Sequence, residues 1–196
     1  MRPLDRSTAL VVVDVQNDFA DPAGSLAVRG AAEVVPAANA AAAAVRAAGG
    51  LVAYTADWHP AHTPHFAQDG GIWPVHCVRD TWGAEFHAEL QVAEDAPVIR
   101  KGIMGEDGYS AFSVRDPRSG ESWETTLGTL LRSRLIRRVV ICGLTTDYCV
   151  VESVSDARAR HLEVDVVTSA IRAVDLRSGD GQRALERMGE VGAVLV

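Results

Sequence analysis

The chain has 196 residues, 47% of them hydrophobic and 23% charged, with a formal net charge of −7. That is the make-up of an ordinary globular domain with enough chain to bury its own core. The acidic balance argues against nucleic acid or an anionic membrane as partner, because both are held by clustered Lys and Arg. Three cysteines, an odd number without paired spacing, make no disulfide framework, so a reducing cytoplasm is the expected setting. Residues 1–14 hold one short apolar run ended by an aspartate, which suits neither a signal peptide nor a membrane span, and no later run reaches span length.

In chain order, the apolar run 9–13 reads as a strand, continuous rather than alternating, as in a sheet covered on both faces. The alanine-rich stretch 33–48 reads as a helix stopped by Gly49 and Gly50. Residues 51–55 form a second strand. The stretch 57–82, rich in Pro, His, Gly and Trp and without periodicity, reads as a functional loop. A short strand at 97–99 leads into Lys101-Gly102, and 115–123 reads as a polar surface excursion. Then come a helix over 124–134, a strand over 139–142, a helix over 147–161 capped by Thr146 and Asp147, a strand over 164–168, a helix over 181–188 and a last strand over 193–195. Six strands alternating with helices predict a single α/β domain over 1–196. Its expected form is three-layer α/β/α with a six-stranded, mostly parallel sheet and its site beyond the carboxyl ends of the strands.

Three residues fall at such ends. Cys149 sits in the first turn of a helix after a buried strand, where free N–H groups and the helix dipole favour a thiolate and can face an oxyanion; taken alone, it reads first as a small buried hydrophobe. Asp14 directly follows the apolar run 9–13, where desolvation raises a carboxyl pKa and suits a proton acceptor, although an aspartate there can also cap a loop. Lys101 follows a strand and would hold both groups ionised, or else lie solvated at the strand end. Their shared position outweighs each one taken singly.

Four of the six histidines lie in one loop. Asp57, His59, His65 and His76 together offer one carboxylate and three imidazoles, a set suited to one divalent metal ion such as zinc, iron or manganese, against the alternative of surface histidines. His62 reads as solvent-facing, Cys77 as packing, and His87 and His161 as structural. Phe19 and Trp73 are candidates for an aromatic clamp or for core.

The motifs Val-Val-Asp14-Val-Gln-Asn-Asp-Phe19, Asp57-x-His59, Trp73-Pro-x-His76-Cys, Lys101-Gly and Gly143-x-x-Thr-Asp-x-Cys149-Val, in that order, resemble the isochorismatase-like cysteine hydrolases over essentially the whole chain. The metal set is similar to that of their nicotinamidase (pyrazinamidase) branch and absent from relatives such as isochorismatases. One departure is Thr145, where alanine is more usual. The resemblance implies the isochorismatase-like hydrolase fold and a cytoplasmic amidase acting on nicotinamide, with pyrazinamide as a further substrate. In it Asp14 and Lys101 serve a Cys149 nucleophile that forms a thioester. It also implies a cis peptide from Leu144 to Thr145, an oxyanion hole from the N–H groups of Thr145 and Cys149, and a metal on the pyridine nitrogen. Phe19 and Trp73 would sandwich the ring, with Tyr109 lining the pocket. Two rivals stand beside it: an amidase for another small heteroaromatic amide, and an inactive binding or assembly protein on the same fold. Oligomeric state is left open, homo-oligomers included.

Overall fold

The computed structural model describes residues 2–196. Its elements run β1 (Thr8–Val13), α1 (Asn17–Ala20), α2 (Val34–Ala47), β2 (Leu51–Asp57), β3 (Val98–Lys101), β4 (Ser113–Arg115), β5 (Ser122–Glu124), α3 (Thr126–Ser133), β6 (Arg138–Leu144), α4 (Val151–Ala159), β7 (Glu163–Arg172), α5 (Asp180–Glu190) and β8 (Val194–Leu195). The continuous apolar runs become strands buried on both faces. In β1, Leu10 and Val12 turn to one side and Ala9, Val11 and Val13 to the other; β6 splits the same way, Val140 and Cys142 against Val139 and Ile141.

The main sheet has six strands in the order β3-β2-β1-β6-β7-β8, and every neighbouring pair is parallel. The direction of winding reverses between β1 and β6, and in open α/β sheets ligands bind in the crevice at such a switch point. α2 covers one face through Val34, Val35, Ala38, Ala41, Ala42 and Val45, its small side chains letting it lie close to the strands. α3, α4 and α5 cover the other through Leu127, Leu131, Val151, Val154, Ala184 and Met188. The three layers follow from the hydrophobic pattern. Among the described residues no helix is long and apolar enough to cross a membrane.

α2 ends as its glycines require. Gly49, at φ 76°, donates to Arg46 O, and Gly50 donates to Val45 O, which closes the last turn. Three local expectations are corrected. α3, expected from 124, starts only at Thr126, with Thr125 Oγ1 accepting from Leu127 N–H at 3.2 Å, because residues 122–124 form β5, which pairs with β4 as an antiparallel hairpin around the surface excursion. The helix expected from 147 begins as a π-helical turn, Thr146–Val150, before α4. Asp147 does not cap it. Its carboxylate accepts from Val174 N–H at 3.0 Å and Asp175 N–H at 2.8 Å, stapling the turn to the segment after β7.

Gly143 lets β6 approach β1 at the switch point. Its φ is 115°, and a Cβ there would stand 2.0 Å from Val13 O. Gly143→Ala should therefore destabilise the fold by roughly 3 kcal/mol or more, through both strain and backbone collision. Gly189→Ala, at an open position in α5, should instead stabilise by about 0.5–1 kcal/mol. Urea unfolding of both variants checks the pair; equal midpoints would refute the close approach.

Candidate active site

Four strands deliver groups to one edge. Asp14 follows β1, Asp57 ends β2, Lys101 ends β3 and is the register partner of Asp57, and Cys149 lies in the turn after β6. Lys101 Nζ is buried, 2.6 Å from Asp14 Oδ2, 2.5 Å from Asp57 Oδ1 and 3.7 Å from Cys149 Sγ, and it also donates to the Gly108 carbonyl. Asp14, Asp57 and Cys149 bring ligand atoms within 4.8 Å of one another. One cation thus serves two carboxylates and a thiol.

The electrostatics divide these groups. Burial pushes the Asp14 carboxyl up; Lys101 pulls it back and Asp57 raises it again, leaving it at about 6. Burial acts on Asp57 likewise, but Lys101, His59 and His76 outweigh it and hold that carboxyl well below the usual range. Lys101 would be lowered by burial, yet Asp14 and Asp57 raise it well above an ordinary lysine, so it stays an ammonium. Cys149 departs from expectation. Burial, joined by Asp14 and Asp57, pushes its thiol well up despite Lys101, so the resting sulfur is protonated and needs a base. The helix-start argument is outweighed by this desolvation.

Asp14 is well placed as that base. It adopts φ 48°, an uncommon conformation that costs of order 1–3 kcal/mol and is held only where neighbours fix it. Its N–H donates to Thr55 O, and Thr55 Oγ1 donates to Oδ1 at 2.6 Å, leaving Oδ2 to the ammonium. Gln16 fixes Asp57 through the backbone: its Oε1 accepts from Asp57 N–H at 2.8 Å and its Nε2 donates to Asp57 O at 2.7 Å.

His59, His65 and His76 are all buried, with ring nitrogens within 4.8 Å of one another. Asp57 Oδ2 lies 3.8 Å from His59 Nε2, so the carboxylate faces both Lys101 and the imidazoles. His65 Nδ1 is 2.8 Å from Asp107 Oδ1, and His76 Nδ1 is 2.8 Å from Pro74 O, which leaves their Nε2 lone pairs free. Burial pushes the His76 imidazole down to about 4, keeping it neutral. Both nitrogens of His59 are buried without a hydrogen-bond partner. Unpaired buried polar atoms are costly, and three imidazoles beside a carboxylate are the donor set a divalent cation takes, so these residues fit one. Gly102 makes room for them, since a Cβ at its φ of 74° would lie 2.4 Å from the His59 ring. His62 is exposed beside Asp69, and Cys77 and Cys142 are buried.

Between thiol and imidazoles lies a tight cleft lined by Phe19, Leu26, Trp73, Tyr109, Thr145, Tyr148, Cys149 and Val174 beside Asp57, His65 and His76. Trp73 Nε1 donates to Tyr109 OH at 2.9 Å, and Tyr148 meets the Trp73 ring edge-on at 4.7 Å. The peptide from Leu144 to Thr145 is cis. Tyr148, Leu26, Val174, Thr55, Gln16 and Asp107 went unnoticed in the sequence. Tyr148, next to Cys149, and Gln16, two residues after Asp14, had position as a signal; the others had none.

A family model described as "Isochorismatase domain" matches residues 8–196. The chain is 34% identical to the nicotinamidase of Escherichia coli, over 95% of this chain and 93% of that one. It superposes on the pyrazinamidase of Pyrococcus horikoshii in complex with zinc at a TM-score of 0.86 and 36% identity, covering 97% and 98% of the two chains. It superposes equally on a protein of L. infantum in complex with nicotinate, at 0.88 and 33%, covering 98% and 94%.

Among the groups that act most strongly on Cys149, Lys101 is the one that lowers its pKa. Lys101→Met should slow alkylation of Cys149 by iodoacetamide at neutral pH by on the order of tenfold for each unit of pKa regained. Mass spectrometry of the modified peptides, with buried Cys142 as the slow reference, reads the rate. An unchanged rate would uncouple Lys101 from the thiol.

Proposed function

The chain belongs to the isochorismatase family, and from that membership we propose that it is an amidohydrolase converting nicotinamide to nicotinate and ammonia, with pyrazinamide as a second substrate. The observation that carries this reading is one tight aromatic cleft with a buried Cys149–Asp14–Lys101 group on one side and a histidine–carboxylate cluster on the other.

Asp14 takes the Cys149 proton as Sγ attacks the carboxamide carbon. The N–H groups of Thr145 and Cys149 receive the oxyanion. When the tetrahedral adduct collapses, the C–N bond breaks, Asp14 returns its proton to the leaving nitrogen, and ammonia departs from a nicotinoyl thioester on Cys149. Asp14 then takes a proton from water as the water oxygen attacks the thioester; in the second collapse the C–S bond breaks, Asp14 gives that proton to the sulfur, and the acid released ionises to nicotinate in solvent. Lys101 stays charged throughout and holds Asp14 in place. Phe19 and Trp73 hold the ring, with Tyr109 and Tyr148 alongside, so the carboxamide meets the sulfur already oriented. Asp57, His59, His65 and His76 would hold one divalent ion (zinc, iron or manganese), a Lewis acid able to ligate the pyridine nitrogen and fix the substrate.

Ammonia release from nicotinamide by the metal-loaded protein tests the proposal, and no release would overturn it. Cys149→Ala should be inactive with fold and metal content intact, and Asp14→Asn should lose on the order of 10²–10⁴ in rate. Asp14 must start ionised, so kcat/KM should fall as pH drops through about 6, the position of its carboxyl. A flat profile from pH 5 to 8 would remove Asp14 as the base.

Ring coordination has its own check. Chelation should abolish turnover, and added zinc, iron or manganese should restore it. Benzamide has the shape of nicotinamide without the ring nitrogen, and a site built around that polar contact should reject it clearly. Equal hydrolysis of both amides by the loaded protein would make the ion structural.

A further inference from the structure

Each of the three clustered imidazoles is held differently. His76 Nδ1 lies 2.8 Å from Pro74 O, a backbone group two residues away, so that contact travels with its own loop. His59 has no hydrogen-bond partner at either nitrogen and is confined by packing, against Gly102 and against the His65 ring at 4.9 Å. His65 alone is braced by a side chain from another segment, Asp107, at 2.8 Å. Asp107 is itself fixed by the hairpin: its N–H donates to Arg115 O at 2.7 Å and its carbonyl accepts from Arg115 N–H at 3.0 Å, Arg115 being the last residue of β4. The next residue, Gly108, gives its carbonyl to Lys101.

We infer that Asp107 is a positioning residue for the metal site: its carboxylate accepts the Nδ1–H of His65, fixes the tautomer that presents Nε2, and is anchored by the β4–β5 hairpin. The inference rests on the divalent-ion reading above and extends it to a residue outside the four ligands. A carboxylate on the far nitrogen of a ligating imidazole sets ring orientation and raises its basicity, and losing it typically costs 10–100-fold in metal affinity. Asp107 is 26% exposed at its side chain, so its removal opens no core cavity.

The test measures zinc affinity alone, by competition with a chromogenic chelator at one fixed pH, on the full chain with and without substitutions. Asp107→Ala should bind zinc about 10–100-fold more weakly. Asp107→Asn, whose Oδ1 still accepts from Nδ1–H, should recover most of that loss. The melting temperature of the metal-free protein should be alike in all three, and saturating zinc should return the Asp107→Ala variant to near wild-type turnover. Zinc binding by wild type but equally by Asp107→Ala would overturn the inference and leave the metal reading standing. So would a lower metal-free melting temperature in both variants with no rescue by Asn, which marks a structural role. Failure of wild type to bind zinc would overturn the metal reading, and this inference with it.

Discussion

Everything at the carboxyl edge of the sheet depends on one buried ammonium. Lys101 Nζ touches the carboxylates that end β1 and β2 and the carbonyl of Gly108, and it approaches the sulfur that follows β6. Deprived of that cation, two carboxylates would be buried side by side, and removing one partner of a buried ion pair is among the most destabilising single changes known. The same constraint sets the chemistry. Asp57 is held ionised and turned towards the histidines, whereas Asp14, desolvated, is left near neutrality where it can take and return a proton. Two carboxylates of one chemical type thereby acquire two roles from their surroundings.

The histidine side of the cleft solves a different problem, namely how an irregular segment between β2 and β3 can hold three rings in place. It does so with backbone contacts to ordered neighbours. His59 N–H donates to Cys77 O, and Cys77 N–H donates to the buried Asp18 carboxylate at 2.6 Å. Asp18 follows β1, so the same short stretch that supplies Asp14 and Phe19 also pins the loop carrying His76. Gln16 adds a third tie, to Asp57 and to the Ala84 carbonyl. A metal-type cluster built on a loop is thus referred back to the sheet.

Much of this could be read from the chain. Strands buried on both faces leave continuous apolar runs, which is why β1, β2 and β6 are legible in the sequence, and why Asp14, Lys101 and Cys149 can be placed beyond strand ends from it. The histidine loop announced itself by residue type. What escaped was what depends on distant partners. The protonated state of Cys149 comes from tertiary burial and two carboxylates, which a local dipole argument cannot weigh. The π-helical turn and the use of Asp147 as a staple depend on the segment after β7. The hairpin of β4 and β5 is short and polar, so it carries no hydrophobic period to detect. Leu26 and Val174 are ordinary apolar residues made relevant only by where the chain folds them.

The Asp147 staple has a mechanical consequence. One carboxylate binds the backbone of Val174 and Asp175, and Val174 forms a wall of the cleft, while Asp147 itself lies in the turn that carries the sulfur two residues on. The wall and the sulfur are therefore tied through the two oxygens of one side chain. Any shift of Val174 would pull on the turn that holds the sulfur. The width of the cleft and the placing of its sulfur are in this sense set by a single carboxylate.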